Sequence, residues 1–408
     1  MRRLILAIAC ALVLAPAASA QDADVRFATF NASLNRPVAG QLRSDLSNPA
    51  STSVFVRQAK NVAEVIQRVR PDVLLINEFD FDPVAADLFR DNFLEVSQNG
   101  AAPIEFPYAF IAPSNTGIAT GFDLNNNGAI VTTPGAPGYG DDAFGFGAFP
   151  GQFGMVVYSK YPIDTSAART FQLFKWKDMP GNLIPTPFYS PEEVAILRLS
   201  SKSHWDLPID IGKKTVHFLV SHPTPPVFDG PEDRNGRRNF DEIRFWADYI
   251  TPGKSGYIYD DSGVHGGLKP GELFVIAGDQ NSDPLDGDSI PGAIQQLTEN
   301  PLVNTKVTPE SAGAVEASVL QGGANTTHKS DPRFDTADFA DTAPGNLHAD
   351  YVLPRKTLQI VGSGVFWPLR SDPLFRLTGV FDFAWIAVGG FPTSDHRSVW
   401  VDVSVPTN

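Results

Sequence analysis

Cysteine is almost absent from this sequence: Cys10 is the only one among 408 residues. It lies in an N-terminal segment in which Arg2 and Arg3 precede an apolar run and the small residues Ala18-Ser19-Ala20, a pattern that predicts a signal peptide, residues 1–20, cleaved after Ala20. The alternative, an uncleaved anchor, is disfavoured because the run is shorter than the ~20 residues of a spanning helix. We therefore expect a secreted or periplasmic protein without disulfides or a thiol nucleophile.

Positive charge and later apolar runs are also scarce. There are 32 basic and 46 acidic residues, a formal net charge of −14 that becomes −16 if Arg2 and Arg3 leave with the signal. Such a surface repels polyanions and disfavours avid, non-specific binding to duplex DNA, although a local basic groove or a metal-bound phosphate remains compatible with it. We expect no integral membrane segment after cleavage, and a monomeric domain spanning 21–408.

The first part of the processed chain reads as strand, helix, strand. Residues 24–34 alternate in the manner of a strand, 53–70 have helical spacing up to Pro71, and 72–80 resemble a buried strand. This order implies a parallel pair joined by a right-handed crossover. Asn31 and Glu78 should then lie together at the carboxyl ends of neighbouring strands, where open α/β sheets place their sites.

Residues 80–154 are rich in Gly, Pro, Asn and Phe, which predicts a loop-rich insertion and a candidate lid. Within it, Asp123, Asn125 and Asn127 precede Gly128 as at the start of a calcium loop, so a structural Ca²⁺ is one interpretation. The twelfth position is Pro134 instead of the closing Glu. An ordinary Asn-Gly turn is the alternative.

Further strands are predicted near 154–163, 192–211, 214–226, 273–281, 348–367 and 398–405, and an amphipathic helix at 239–250. Several are followed or preceded by polar residues. These are His222, Asp279 with Asn281, Asp350, and the pair Asp395 and His396. Each alone could be a turn residue, since Asp and Asn commonly end strands. Their order along the chain, after Asn31 and Glu78, is more informative.

In this order the sequence resembles the endonuclease/exonuclease/phosphatase superfamily, from "TFN" at 29–31 to "SDH" at 394–396. The resemblance implies a four-layer α/β sandwich, with two packed mixed β-sheets flanked by helices. It also implies a divalent-metal-dependent phosphoesterase site at one end of that sandwich.

The resemblance further implies roles for individual residues. Glu78 would be the main ligand of Mg²⁺ (or Mn²⁺ or Ca²⁺), with Asn31 beside it and Asp395 as an additional metal-proximal carboxylate. Asp279 would polarise a water or leaving group, and Asn281 would hold a phosphate oxygen. The remaining catalytic residues would be His396 near the scissile phosphate, Asp350 orienting it, and His222 contacting the phosphate. Hard oxygen ligands suit Mg²⁺, and an imidazole paired with a carboxylate favours its protonated form.

Two features depart from the usual pattern, and two more leave alternatives open. "GDQN" carries Gln280 where an aromatic is usual, and "SHPTPP" (221–226) suggests an altered substrate wall. Arg234, Arg237 and Arg238 are either a phosphate-binding cluster or a solvated face. His204 and Trp205 either contact substrate or close a hairpin.

The function predicted from the sequence is an exported, metal-dependent phosphodiesterase, nuclease-like in its site. Alternatives are a phosphomonoesterase, a phospholipid (sphingomyelinase-like) phosphodiesterase, for which the Phe-rich segment 141–151 would be a candidate contact, and a non-catalytic binding module on the same fold. The expected partner is a phosphate ester: nucleic acid, phospholipid or small molecule. No Gly-x-Ser-x-Gly elbow is present, so a serine hydrolase of that kind is not indicated.

Overall fold

The computed structural model describes residues 22–407, so the predicted signal peptide and Cys10 lie outside the described residues. The strands are β1 (Ala23–Asn31), β2 (Val73–Asn77), β3 (Tyr108–Phe110), β4 (Met155–Ser159), β5 (Arg169–Thr170), β6 (His204–Ile211), β7 (Lys214–Ser221), β8 (Leu273–Asp279), β9 (Ala337–Asp338), β10 (Asn346–Leu347), β11 (Asp350–Pro354), β12 (Gln359–Val365) and β13 (Val399–Val405). The α-helices are α1 (Gln41–Leu46), α2 (Val54–Val69), α3 (Pro83–Phe89), α4 (Pro191–Ile196), α5 (Arg234–Ile250), α6 (Gln295–Thr298), α7 (Ala312–Gln321) and α8 (Phe375–Thr378). Among the described residues, no helix is both long and apolar enough to cross a bilayer.

Two large mixed sheets organise the chain. The first has six strands in the order β12-β13-β1-β2-β4-β3, and the second has five in the order β11-β8-β7-β6-β5. β1 and β2 are parallel, as are β7 and β8, whereas the other pairs in these sheets are antiparallel. β9 and β10 form a small separate hairpin-like pair.

The sheets pack face to face, and the alternation of side chains along each strand explains why. Val25 and Phe27 of β1 face a core shared with the second sheet, where Phe27 contacts Phe218 with ring centroids 5.4 Å apart. Ala28 and Phe30, one residue out of phase, face the core under α2. A third core lies between α5 and the outer face of the second sheet. The result is the predicted four-layer sandwich, with helices on both outer faces.

Local sequence signals explain α2 and the parallel pair. The Ser53 hydroxyl accepts a hydrogen bond from the Val56 N–H and so caps the start of the helix, while Arg70 adopts a left-handed conformation just before Pro71. The parallel register of β1 and β2 then places Asn31 opposite Asn77. The predicted crossover and the common edge for Asn31 and Glu78 are confirmed.

Two predictions of local structure were wrong. Residues 80–154 are not simply an insertion: α3 and β3 lie in this range, β3 completes the first sheet, and Phe89 and Phe106 are buried in its outer core. The start of the predicted strand at 192–211 is instead α4. A capping box explains this, because Ser190 and Glu193 each bond the other's backbone N–H, and Pro191 occupies the first turn.

Candidate active site

The second sheet brings four polar residues into one row at its end. Asp350 begins β11 directly opposite Asp279, the last residue of β8. His222 follows β7, which runs parallel to β8, and Lys202 precedes β6, whose His204 pairs with Ser221. The strand register thus aligns residues that are up to 148 positions apart in the chain.

The first sheet contributes the opposing row. Asn31 ends β1, Glu78 follows β2, and Asp395 and His396 precede β13, the strand that pairs with β1. The Asn31 amide joins the two rows, donating to Glu78 Oε1 at 3.2 Å and to Asp279 Oδ2 at 3.0 Å. The candidate site therefore lies where the same end of each sheet meets the other.

The backbone turns sharply at this edge. Glu78 and Asn281 have φ of 60° and 50°, in the left-handed region that non-glycine residues seldom occupy. Asn tolerates this conformation better than Glu, so the strain at Glu78 is consistent with a functional position. Gly278 is required for a different reason: a Cβ there would lie 2.0 Å from the Ser221 carbonyl oxygen of β7.

His396 is held by two buried carboxylates. Its Nδ1 lies 2.8 Å from Asp350 Oδ2, and its Nε2 lies 3.6 Å from Asp279 Oδ2. Burial by itself would lower the pKa of His396, but these two carboxylates, together with that of Asp395, outweigh it and raise the pKa well above its usual value. His396 is therefore an imidazolium at neutral pH.

Asp279 responds in the opposite direction. Burial would raise its pKa, but His396 and the hydrogen bond from His222, whose Nε2 is 3.3 Å from Asp279 Oδ2, lower the pKa below its usual value. Asp279 thus remains ionised. Burial, and then the nearby Lys202 ammonium, lower the pKa of His222 to about 4, so this imidazole is neutral. Its Nδ1 is buried and has no hydrogen-bond partner.

Glu78 and Asp395 fit a divalent cation. Burial, and then the Asp395 carboxylate, raise the pKa of Glu78 to about 7. A positive ion beside the two carboxylates would offset their mutual repulsion. Carboxylate oxygens are the ligands that Mg²⁺ prefers. The Asn31 Nδ2 donates to the Glu78 and Asp279 carboxylates while its Oδ1 accepts from the Ser33 N–H at 3.3 Å, and its role beside a metal stays a prediction.

A second possible ligand group is Asp279, Asp350 and His396, whose ligand atoms lie within 4.8 Å of one another. The 2.8 Å contact between His396 Nδ1 and Asp350 Oδ2 also makes these three residues a hydrogen-bonded triad. The Glu78 and Asp395 carboxylates line the same cavity as Asp279 and His396 and offer further oxygen ligands to an ion there.

A cavity of about 720 Å³ opens over these residues. Glu78, His222, Asp279, Asn281, Asp395 and His396 all line it. Pro225 and Pro226 form part of its wall, and the effect of "SHPTPP" on a substrate stays a prediction. Gln280 is fully buried beside Ser221 and does not line the cavity.

A model of the Endonuclease/Exonuclease/phosphatase family matches residues 28–396, nearly the whole described chain. The chain belongs to this family. The match contains every residue of the two rows described above, and the sandwich agrees with the family's fold.

Solved structures of similar fold share little sequence with this family member. They include an endonuclease/exonuclease/phosphatase protein of Beutenbergia cavernae (18% identity, TM-score 0.48, covering 94% of this chain and 72% of that one). Sphingomyelinase C of Streptomyces griseocarneus follows at 15% identity and TM-score 0.45, covering 93% and 99%. Beta toxin of Staphylococcus aureus, in a structure with bound magnesium ions, has 15% identity and TM-score 0.46, covering 94% and 100%. No curated protein matches the chain.

The three arginines predicted to bind phosphate do not reach the cavity. Arg234 pairs with Glu232, Arg237 donates to the Glu232 carbonyl, and Arg238 donates to backbone carbonyls of Phe144, Arg198 and Leu199. The three arginines therefore contact their own loop and the core, and none of them lines the cavity.

The predicted calcium ligands form an exposed turn. Asp123, Asn125 and Asn127 use side-chain oxygens to accept backbone N–H groups of residues 127, 128 and 129. Asp142, in turn, accepts from the N–H groups of Leu124 and Val131 and so ties the loop to the domain. Hydrogen bonds account for this loop, and a Ca²⁺ ion there stays a prediction.

The aromatic candidates are mostly structural. In segment 141–151, Phe149 is buried and Phe144 packs on Arg198, so only Phe146 is largely exposed, and none lines the cavity. From the whole range 80–154 only Gln152 reaches the cavity, which argues against a lid. Trp205 is buried between the sheets and His204 Nε2 bonds the Glu242 carbonyl, so neither contacts a substrate.

Two residues of the site were missed from the sequence. Lys202 is 7% exposed, and its ammonium interacts with the charges of Glu242, Glu78 and Asp279. Burial lowers the pKa of Lys202 in spite of these carboxylates. Asn77 joins the sheets, since its Oδ1 accepts from the Asp279 N–H at 3.2 Å and its Nδ2 donates to the Ser221 carbonyl at 3.4 Å. The available signal was position, because both flank predicted strand ends.

Proposed function

We propose that this protein is a metal-dependent phosphodiesterase that hydrolyses its substrate by direct attack of water on phosphorus. The observation that carries the proposal is the convergence of an acidic pair, Glu78 and Asp395, with Asp279 and His396 in one cavity, where the buried Asp350 holds His396 from behind. Phosphoryl transfer needs charge neutralisation and alignment of the attacking and leaving oxygens. The two groups provide these separately.

Each residue has a distinct task in this proposal. A Mg²⁺ or similar ion held by Glu78 and Asp395 would neutralise phosphoryl charge and lower the pKa of bound water. The His396 imidazolium donates to a phosphate oxygen, with Asp350 fixing its orientation. Asp279, which stays ionised, accepts a hydrogen bond from the attacking water and orients it.

Asn281 is placed for a further phosphate contact, whereas His222 supports Asp279. The Asn281 Nδ2 donates to the Pro223 carbonyl at 3.1 Å, which holds this side chain at the cavity wall beside Asp279. His222 is neutral and donates through Nε2 towards Asp279, so it stabilises the charge of that carboxylate. During hydrolysis a P–O bond forms to water while the bond to the leaving alcohol breaks, and the alcohol oxygen takes a proton.

A diester is favoured over a monoester by the charge of the site. A phosphomonoester carries nearly two negative charges near neutral pH. Among the residues that line the cavity there is no lysine or arginine, and the three predicted arginines are used elsewhere. A singly charged diester demands less compensation. Export is part of the same proposal and is supported by the signal-like sequence of residues 1–20.

The proposal is tested with bis-(p-nitrophenyl) phosphate and p-nitrophenyl phosphate, each with Mg²⁺, Mn²⁺ or Ca²⁺ and with EDTA. We expect metal-dependent turnover of the diester, and slower turnover of the monoester. Glu78→Gln should lose metal-stimulated activity and bind Mn²⁺ more weakly, as measured by calorimetry. The control Glu272→Gln, at the residue before β8 and away from the cavity, should change neither. Absence of turnover with every metal would overturn the proposal.

A further inference from the structure

The cavity at the candidate site has an unusual division between its floor and its walls. The floor is charged: Glu78, Asp279 and Asp395 meet the two histidines there. The walls extend well beyond one phosphate group and are largely apolar, with contributions from Pro225, Val227, Ala343, Leu347, Ala387 and Val388. A volume of about 720 Å³ is within the ~300–1,000 Å³ of pockets that enclose an organic ligand.

The charge of the lining limits what that ligand carries. Asp288 adds a fourth carboxylate near the outer wall, and no lysine or arginine lines this cavity in the described chain. A second anionic group beyond the scissile phosphate would meet these carboxylates without a cation to pair with. Nucleic acid strands and polyphosphorylated small molecules are therefore poor matches for the walls, although their phosphates would suit the floor.

From this division we infer that the cavity binds a phosphodiester through an uncharged, carbon-rich ester arm, which lies against the apolar walls while its phosphate occupies the floor. This inference rests on the proposed function and specifies its substrate class. The charged floor and the apolar walls belong to the same cavity, so one ligand can contact both.

A second cavity leaves room for the other arm of the diester. It has a volume of about 740 Å³ and shares Phe339, Ala340, Gly389 and Asp395 with the first. The Phe339 ring packs edge-on against His396, with centroids 5.3 Å apart, and so stands between the two spaces. A substrate with one arm on each side of Phe339 would present its phosphate to His396.

The apolar contact has a measurable size. Burying one methylene group gives about a fourfold gain in binding. A series of p-nitrophenyl alkyl phosphodiesters with methyl, butyl and octyl arms should therefore show kcat/KM rising at least tenfold from methyl to octyl. Release of p-nitrophenol reports each reaction, in which water adds to phosphorus and the nitrophenolate leaves with the electron pair of the broken bond.

A matched pair of variants tests the location of the arm. Ala387 and Ala384 belong to the same short 3-10 helix, Phe383–Val388, and both are exposed, but only Ala387 lines the first cavity. Ala387→Glu should abolish the gain in kcat/KM with arm length. Ala384→Glu should leave the whole series unchanged.

The outcomes separate this inference from the proposed function. Turnover of the methyl ester without any gain on lengthening the arm, or a preference for dinucleotide over octyl ester, would overturn the inference and leave a phosphodiesterase. Absence of turnover of every ester would overturn both. Phosphatidylcholine vesicles distinguish the source of the arm: their hydrolysis supports a membrane lipid, and turnover of the soluble octyl ester alone supports a free alkyl phosphodiester.

Discussion

Replacing Asp350 by Asn should show how much of catalysis depends on the charge of His396. The substitution keeps the size of the side chain and an oxygen for the Thr336 hydroxyl, which donates to Asp350 Oδ2 at 2.9 Å. It removes the nearest of the three carboxylates, Asp350, Asp279 and Asp395, that raise the pKa of His396. Asp279 remains, but its Oδ2 lies farther from the imidazole, at 3.6 Å compared with 2.8 Å.

The expected loss follows from that hydrogen bond. A bond to a charged group contributes about 1.5–3 kcal/mol, equivalent to roughly a 10- to 100-fold change in rate if it is lost in the transition state. The deficit should also depend on pH. Because the pKa of His396 falls in the variant, the imidazolium is lost at lower pH, so the variant should be more impaired at pH 8 than at pH 6.

The assay is kcat/KM for bis-(p-nitrophenyl) phosphate from pH 5.5 to 9, with thermal unfolding as a check of folding. Asp206→Asn is a matched control, since Asp206 forms a similar buried pair with His217, 2.7 Å from Oδ1 to Nδ1, away from the cavity. It should not alter the pH profile of kcat/KM. A folded Asp350→Asn enzyme with kcat/KM within threefold of the parent at both pH values would refute the role given to His396.

Three further predictions concern residues around the site and beyond it. Lys202→Met should lower kcat/KM about tenfold and raise the pKa of His222 in an NMR titration, because the lysine charge contributes to its lowering. Arg238→Ala should reduce the unfolding free energy by about 3 kcal/mol in denaturant titrations while leaving KM unchanged; a raised KM at unaltered stability would restore the phosphate-binding interpretation. Burial and neighbouring aspartates raise the pKa of Asp335 to about 8. The folded state therefore holds this proton more tightly than the unfolded chain, and stability falls as the pH rises from about 4 to about 8; Asp335→Asn should remove that decline, and an identical decline in both proteins would contradict the assignment.

The site could be predicted from the sequence because its residues sit at the ends of strands. Asn31, Asp279 and Asp350 each terminate or begin a buried run, and their order along the chain, which resembles that of the family, grouped them. The position of the arginine side chains could not be predicted, because it depends on contacts with distant segments. Arg238 resembles a surface cation in sequence, yet it is drawn into the core by carbonyls from distant loops that no local pattern reveals.

The sequence by itself determined the sandwich, the family and the charged floor of the site. Alternation along a strand and a polar residue at its end can each be read from a short stretch of sequence, whatever the rest of the chain contains. Only the tertiary structure decided the rest. It showed that Lys202 and Asn77 belong to the site, that segment 141–151 does not, and that the walls are apolar and lack basic residues. Walls and electrostatic neighbours are assembled from segments far apart in the chain, and their proximity depends on how the two sheets and their loops pack.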